Sequence, residues 1–250
     1  MDILLSIFVF ILGTIFGSFY NVIIYRLPKK ISFVSGTSFC PTCNTRIMPI
    51  DLIPVVSYLF LGGKCRHCKA SISLRYPLIE VLTGIIFTLS YLRFDFTLQT
   101  LLAIILGSLC IIIAMIDIDT MEILDRFHVF IFALAIIHIF FFSDLLLLDH
   151  IIGFFIISVF FYIIAIITNG MGGGDIKLVA VSGLLLGYQS MLVGFFIAAI
   201  TGGLVAIALL LLKAQDRKSL IAFGPFLCIG IFIAYLYGQQ LFSWYINLFI

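Results

Sequence analysis

Two aspartate-bearing segments interrupt an otherwise apolar chain. Asp117 and Asp119 end one apolar run, and Asp175 follows the glycine-rich residues 170–174. An ionisable side chain at membrane depth is expensive and points to a functional role. Two carboxyl groups that share a site cannot both ionise cheaply, so one can act as a base while the other acts as an acid. The pattern predicts a catalytic pair formed by Asp175 and an aspartate of the earlier segment, Asp117 or Asp119.

Each of these acids also has a purely structural interpretation. Asp175 could cap a helix after a glycine turn, which Asp does well. Asp117 and Asp119 could belong to a solvated acidic loop. The glycines before Asp175, among them Gly172 and Gly174, favour the catalytic interpretation, because they would let an extended peptide lie against the backbone.

Four of the six cysteines form two CxxC pairs with 21 residues between them. Two such pairs can close a tetrahedron of thiolates around one metal ion, and their spacing is close to that of four-cysteine zinc sites. Redox chemistry is the alternative, although it normally needs only one pair. We therefore predict a structural zinc ion. Its ligands would be Cys40, Cys43, Cys65 and Cys68.

The remaining histidines and cysteines show no ligand pattern. His67 lies inside a CxxC pair and is predicted not to bind the metal. Cys110 and Cys228 lie in apolar runs and are interpreted as core residues. We interpret the three other histidines as helix-end or packing residues: His128, His138 and His150.

The composition places these groups in a membrane protein. The chain has 250 residues, of which 63% are hydrophobic and 10% charged, whereas a soluble domain averages about 25% charged. A span of the hydrocarbon core needs about 20 residues. The predicted spans are 3–25, 77–92, 98–117, 127–142, 146–168, 177–188, 190–212 and 221–248, with residues 187–190 the only break between the sixth and seventh. We expect an all-α polytopic membrane protein with about eight transmembrane helices.

The basic residues predict the orientation of the spans. With residues 26–76 in the cytoplasm, thirteen of the fourteen Lys and Arg residues fall on the cytoplasmic side, and only Arg93 falls outside. This excess follows the positive-inside rule. Asp117 then closes the third span and Asp175 opens the sixth, so both carboxyl groups lie at the cytoplasmic boundary. The structural interpretations of these acids do not explain this shared depth.

Composition also divides the chain into three parts. Residues 1–26 form the first transmembrane helix, retained as a span because Asp2 stands where a signal peptide has a basic start. Residues 27–76 hold four of the six prolines as well as the cysteine pairs. This cytoplasmic domain is too small to build a large hydrophobic core, so we expect a bound metal ion to cross-link and stabilise it. Residues 77–250 form the remaining transmembrane domain, which contains both aspartate segments.

Taken together, these residues resemble the type IV prepilin peptidases, which are leader peptidases and N-methyltransferases of bacterial pilus, type II secretion and competence systems. The resemblance runs over nearly the whole chain. Its motifs are Gly17-Ser18-Phe19-Tyr20-Asn21-Val22 with Arg26-Leu27-Pro28, the two cysteine pairs, Arg75-Tyr76-Pro77-Leu78-Ile79-Glu80, Asp117-Ile118-Asp119, Gly172-Gly173-Gly174-Asp175 with Lys177-Leu178, and Phe223-Gly224-Pro225. A lone GxGD motif would be a weak signal, whereas this set in this order is specific.

The resemblance implies roles for the site residues and a location for the protein. The catalytic aspartates of the family match Asp117 and Asp175. The residues that would support the catalytic loop are Gly172, Gly174, Lys177 and Asp119. Family members have about eight spans in the bacterial cytoplasmic (inner) membrane and a cytoplasmic zinc loop after the first span.

The resemblance also implies substrates and a cofactor. Prepilin and pseudopilin precursors carry a short basic leader, a glycine before the cut, often a phenylalanine after it, and then a hydrophobic helix. The family cuts them at the cytoplasmic face and methylates the new N-terminus with S-adenosylmethionine. No glycine-rich nucleotide-binding loop is recognisable, so the methyl donor rests on the resemblance, and we expect its site near Asn21, Arg26 and the zinc loop. Beyond these substrates and the lipid bilayer, we expect no nucleic-acid partner.

Two positions of the chain depart from the family pattern. The chain has Leu124-Asp125 where the family usually has Pro-Asp, and Ala222 where the family usually has a proline.

Two alternative functions remain at this point. A presenilin-like GxGD protease with other substrates would not be expected to carry two CxxC pairs. A proton-coupled transporter would place its acids near the midplane and show an internal repeat, and neither feature is clear in this sequence.

Overall fold

The computed structural model describes residues 3–32, 38–168, 170–212 and 221–248. Asp2, Lys213, Arg217 and Lys218, which entered the arguments above, lie outside the described residues. Within the described ranges the regular structure is helical, with two isolated β-bridges. The helices are α1 (Ile3–Arg26), α2 (Val56–Phe60), α3 (Arg75–Phe94), α4 (Leu98–Thr120), α5 (Asp125–Phe141), α6 (Leu147–Thr168), α7 (Gly173–Leu211) and α8 (Gly224–Asn247), with a 3₁₀ turn at Pro49–Leu52. The all-α prediction is confirmed.

Six of these helices are long and apolar enough to cross a membrane: α1, α3, α4, α6, α7 and α8. Helix α5 is also apolar but has only 17 residues. Helix α7 has 39 residues in two segments that meet at Gly187, where φ is 74° and ψ is 165°. Glycine adopts such a positive φ without a Cβ penalty, which explains the predicted break at residues 187–190. Counting α5 and both segments of α7 gives eight helical segments, in agreement with the fold predicted from the sequence.

Two helix ends extend beyond the predicted spans at the positions of the acids. Helix α4 continues past Asp117 to Thr120, and α7 begins at Gly173 instead of near Lys177. A hydropathy edge marks where apolar residues stop, whereas a helix continues as long as each N–H finds the carbonyl four residues earlier. Both Asp117 and Asp175 therefore lie in terminal helical turns and not in loops.

Contacts divide the chain into two compact units, Met1–Thr100 and Leu101–Ile250. In the first unit, α1 packs on α3 through two glycines one helical turn apart. A Cβ placed on Gly13 would lie 2.7 Å from the Cα of Gly84, and a Cβ on Gly17 would lie 2.7 Å from the Cα of Glu80. Small residues at this spacing let two membrane helices approach backbone to backbone.

In the second unit, α7 packs against α5, α6 and α8. The closest approach to α6 is at Gly183, where a Cβ would lie 2.0 Å from the carbonyl oxygen of Gly153. One turn away, the fully buried His150 has its Nδ1 2.8 Å from the carbonyl oxygen of Leu184. Because a carbonyl only accepts, Nδ1 carries the hydrogen of this bond. Helix α6 thus holds α7 immediately before its break at Gly187.

Candidate active site and metal centre

Asp117 lies in the last turn of α4 and is nearly buried, with 6% of its surface exposed. Its Oδ2 accepts a hydrogen bond of 3.0 Å from the backbone N–H of Gly224, the first residue of α8. A Cβ on Gly224 would lie 2.5 Å from that Oδ2, so only glycine lets the backbone approach this closely. The start of α8, where helix N–H groups lack helical partners, therefore faces the Asp117 carboxyl group.

Asp175 lies in the first turn of α7, two residues after the helix begins at Gly173. Gly172 occupies the N-cap position, so the alternative in which Asp175 caps this helix does not hold. The carboxyl groups of Asp175 and Asp117 are close enough to interact electrostatically. The Oδ1 of Asp175 is buried and accepts no hydrogen bond from the described residues. The structure thus brings the two predicted catalytic acids together across α4 and α7.

The glycines predicted to support the catalytic loop lie directly beside Asp175. Gly172 is close enough that a Cβ there would come within 3.4 Å of the Asp175 Oδ2. Gly174 packs against the α4–α5 connection, where a Cβ would lie 2.9 Å from the Cβ of Ile123. A side chain at Gly174 would therefore crowd the connection between α4 and α5, whereas a Cβ at Gly172 would make an ordinary contact with the carboxylate.

The other two predicted support residues are Lys177 and Asp119. Lys177 places its Nζ 2.7 Å from the Oδ1 of Asp125, in the first turn of α5. Asp119 is exposed at the end of α4. The sequence reasoning did not predict two further neighbours of the site: Gly224, which donates to Asp117, and His128, whose Nε2 lies 3.1 Å from the carbonyl oxygen of Gly174. The Phe223-Gly224-Pro225 motif was the available signal for Gly224.

Two adjacent carboxyl groups can carry out hydrolysis without a metal ion or a nucleophilic side chain. The ionised member takes a proton from water, and the protonated member donates a proton to the carbonyl oxygen under attack. Such a pair titrates as one coupled unit. Oδ1 of Asp175, which has no donor among the described residues, offers a lone pair to an incoming water or substrate N–H.

Two hairpins of matching geometry carry the cysteine pairs. In the first, Cys40 N–H donates to the carbonyl oxygen of Thr45 at 3.0 Å, and Asn44 has φ 53°. In the second, Cys65 N–H donates to the carbonyl oxygen of Ala70 at 2.8 Å, and Lys69 has φ 60°. Each hairpin ends in an antiparallel bridge, Phe39–Arg46 in the first and Lys64–Ser71 in the second. The two CxxC segments therefore present their thiols in the same way.

The four thiols form a cluster with the dimensions of a zinc site. Their sulfur atoms all lie within 4.8 Å of one another, and the Sγ atoms of Cys40 and Cys68 are 3.8 Å apart. A tetrahedron with Zn–S bonds of about 2.3 Å has edges of about 3.8 Å, whereas a disulfide requires about 2.05 Å. The donor set and its spacing fit a tetrahedral metal ion, which would hold the two hairpins together.

Local hydrogen bonds prepare these cysteines for metal binding. Backbone N–H groups lower the pKa of Cys40 and Cys65, the principal donors being those of Cys43 and Cys68 respectively. The backbone N–H of Ala70 lowers the pKa of Cys68, but burial and the three neighbouring thiols outweigh it and raise that pKa to about 11. Four thiolates thus repel one another at this distance, and a divalent cation removes that repulsion.

An ion pair supports the same loop domain. The guanidinium of Arg66 contacts the Asp51 carboxylate at 2.6 Å and also donates from Nε. This contact lowers the pKa of Asp51 and keeps the carboxylate charged. Because Arg66 follows the ligand Cys65 directly, the pair fixes the second hairpin against the 3₁₀ turn at Pro49–Leu52.

Comparison with known proteins shows the family to which the chain belongs. The chain is 37% identical to the Prepilin leader peptidase/N-methyltransferase of Bacillus subtilis (strain 168), over 96% of this chain and 97% of that protein. The chain belongs to the type IV prepilin peptidase family. The protein of the same name from Pseudomonas aeruginosa is 31% identical over 95% of this chain and 92% of its own length. Residues 11–94 match the Bacterial Peptidase A24 N-terminal domain, and residues 104–207 match the Type IV leader peptidase family. No solved structure gave a significant match.

The two matched segments contain different candidate sites. The N-terminal segment, 11–94, contains the four clustered cysteines, and the second, 104–207, contains Asp117 and Asp175. In the N-terminal segment, the Asn21 side chain donates to the carbonyl oxygens of Gly17 and Tyr76 at 3.3 and 3.2 Å. These bonds link α1 to the start of α3 and give Asn21 a structural role in this motif.

Proposed function

We propose that this chain is a membrane aspartic endopeptidase that removes the basic leader from type IV prepilin and pseudopilin precursors. Asp117 and Asp175 are its catalytic residues in this proposal. The observation that carries it is the electrostatic proximity of these two carboxyl groups at the ends of α4 and α7, with the N-terminus of α8 directed at one of them. Family membership supplies the substrate class.

The reaction follows from the paired carboxyl groups. The ionised aspartate removes a proton from water, and the oxygen of that water attacks the carbonyl carbon of the glycine that precedes the cut. The protonated aspartate gives its proton to the carbonyl oxygen. When the tetrahedral intermediate collapses, a proton passes to the departing amine, and the pair returns to its state with one shared proton.

The location of the reaction is the cytoplasmic face of the bacterial inner membrane in this proposal. The support for this orientation is the distribution of Lys and Arg, eight of which fall in residues 26–75. The basic leader of the substrate would remain on that side, because positive charge is retained in the cytoplasm. The hydrophobic helix of the precursor would lie in the bilayer next to the enzyme.

We assign a structural zinc ion to Cys40, Cys43, Cys65 and Cys68. Four thiolate ligands leave no open position for water, so the metal organises residues 27–76 and takes no part in hydrolysis. In this division, residues 1–26 are the first transmembrane helix, 27–76 the cytoplasmic zinc-binding domain, and 77–250 the peptidase domain. A loop domain of this size needs such a metal cross-link to be stable, because its hydrophobic core is small.

The second activity is N-methylation of the new N-terminus with S-adenosylmethionine. Its support is the family and the names of the relatives. We expected S-adenosylmethionine near Asn21 and Arg26. The Asn21 side chain instead donates hydrogen bonds to the carbonyl oxygens of Gly17 and Tyr76, and Arg26 donates one to the carbonyl oxygen of Ser32. They do not form a recognisable cradle for that cofactor, so we assign no residue of this chain to its binding.

One experiment tests both activities. Purified enzyme in detergent is mixed with a prepilin-like substrate, with and without S-adenosylmethionine, and product masses are measured. We expect loss of the leader in both mixtures and addition of one methyl group only where the donor is present. An intact substrate would refute the peptidase proposal, and a cleaved but unmethylated product would refute the second activity alone.

A further inference from the structure

A small polar network joins the first turn of α5 to the first turn of α7, on either side of Asp175. His128 Nε2 lies 3.1 Å from the carbonyl oxygen of Gly174, and Lys177 Nζ lies 2.7 Å from Asp125 Oδ1. The same Asp125 oxygen lies 3.4 Å from the Nδ1 of His128. The contacts reach the residue before Asp175 and the residue two positions after it.

The bond from His128 has a defined direction. The carbonyl oxygen of Gly174 can only accept, so the Nε2 of the imidazole carries the hydrogen. The ring is nearly buried, with 6% of His128 exposed. A buried polar group that loses its partner is costly, so this contact fixes both the ring and the peptide group that joins Gly174 to Asp175.

Packing on the same peptide adds a second restraint. Ile123, in the connection between α4 and α5, lies so close to Gly174 that a Cβ there would come within 2.9 Å of the Ile123 Cβ. The connection follows the end of α4, which carries Asp117. The segment from Asp117 to His128 therefore holds one catalytic acid directly and restrains the backbone of the other.

We propose that His128 is a positioning residue for Asp175, acting through the Gly174 carbonyl group. This inference rests on the proposed peptidase function and adds a residue to its site. The alternative is that His128 is only a satisfied residue of the helix packing. The two roles predict different kinetics. Loss of a positioning residue lowers kcat more than it changes KM, and any side chain that donates a hydrogen bond from the same place restores kcat.

The contacts of this network should contribute unequally to the restraint on Asp175. The Asp125 and Lys177 side chains are 75% and 57% exposed, and exposed ion pairs contribute little. The buried bond from His128 to Gly174 should carry most of the restraint. Removal of the ion pair by Lys177→Gln should therefore have a smaller effect than removal of the imidazole.

The test compares His128→Leu, which removes the donor, with His128→Gln, whose side-chain amide can donate from nearly the position of Nε2. Arg126→Gln, in the same turn of α5, is the matched control because Arg126 is exposed. Steady-state cleavage of a prepilin-like peptide is measured with full-length enzyme in detergent. We expect His128→Leu to lower kcat about ten-fold or more with KM within about two-fold, and His128→Gln and Arg126→Gln to stay within about three-fold of wild type.

A second measurement does not depend on activity. Hydrogen–deuterium exchange of residues 172–178 should be faster in His128→Leu than in wild type and normal in His128→Gln. If the leucine variant is not recovered from membranes, His128→Asn replaces it, because its amide is too short to reach Gly174. Three results would overturn the proposal. They are a wild-type kcat in the variant that lacks the donor, an equal loss of kcat in His128→Leu and His128→Gln, and unchanged exchange of residues 172–178 in His128→Leu. A wild-type enzyme that fails to cleave would instead refute the proposed function, and exchange would still decide the role of His128.

Discussion

The backbone N–H of Gly224 donates a 3.0 Å hydrogen bond to Oδ2 of Asp117, 107 residues earlier in the chain. The bond joins the last turn of α4 to the first residue of α8. It places a helix N-terminus, with its partial positive charge, on one member of the aspartate pair. The glycine is required because a Cβ would lie 2.5 Å from the carboxylate oxygen.

Replacement of Gly224 by alanine should therefore impair cleavage. The added methyl group displaces either Asp117 or the start of α8, and we expect the rate to fall about ten-fold or more. Initial rates of peptide cleavage measure this effect. Gly203→Ala is the matched control, since a Cβ at Gly203 meets no atom within 4 Å. Equal activity in Gly224→Ala and Gly203→Ala would show that the contact is not needed.

Replacement of either proposed catalytic aspartate should abolish cleavage. Asp117→Asn and Asp175→Asn keep the size of the side chain but cannot ionise, so we expect the rate to fall by about 10²–10⁴-fold. Both variants should remain inserted and abundant in membranes. Asp119→Asn is the comparison, because Asp119 is exposed at the end of α4, and its effect should be milder. An essential Asp119 combined with a dispensable Asp117 would reverse the assignment.

The cysteine cluster should bind about one zinc ion per chain. Elemental analysis of protein purified under reducing conditions without chelator measures the metal. Substitution of Cys40, Cys43, Cys65 or Cys68 by serine should lower the zinc content and destabilise residues 27–76, whereas His67→Ala should leave the zinc content unchanged. A chelator should inactivate slowly, through unfolding of the loop, and not at once. Metal-free protein from such a preparation would rule out the zinc site.

Cleavage should have a bell-shaped dependence on pH. The pair works only while it holds one proton, so activity falls at low pH, when both carboxyl groups are protonated, and at high pH, when both are ionised. Initial rates in detergent give the profile, and thermal unfolding at each pH separates inactivation from titration. A rate that stays flat from neutral pH into strong alkali would indicate a different mechanism.

The contact between α6 and α7 should tolerate no added volume. Gly183→Ala would place a Cβ 2.0 Å from the carbonyl oxygen of Gly153, and overpacking of this kind typically costs about 1–3 kcal/mol. The midpoint of thermal unfolding in detergent should fall for Gly183→Ala and remain near the wild-type value for Gly203→Ala. An unchanged midpoint in both variants would mean that the two helices separate at little cost.

The sequence alone determined the class of fold and predicted which residues carry the chemistry. Long apolar runs predict spans because a chain in lipid must satisfy its backbone within helices. The CxxC spacing predicts a four-thiolate cluster because each short turn presents two sulfur atoms together. Asp117 and Asp175 could be chosen because charged groups are rare and expensive in such a chain. None of these inferences needs to know which helices are neighbours.

Only the tertiary structure decided which groups meet. Gly224 is 107 residues from Asp117, and His128 is 46 residues from Gly174, so no local pattern links them. The sequence indicated that His128 lies at a helix end, but the carbonyl group it contacts depends on how α5 packs against α7. Helices α4 and α7 also extend a few residues beyond the predicted spans, because hydropathy reports the lipid boundary, whereas backbone hydrogen bonds set where a helix stops.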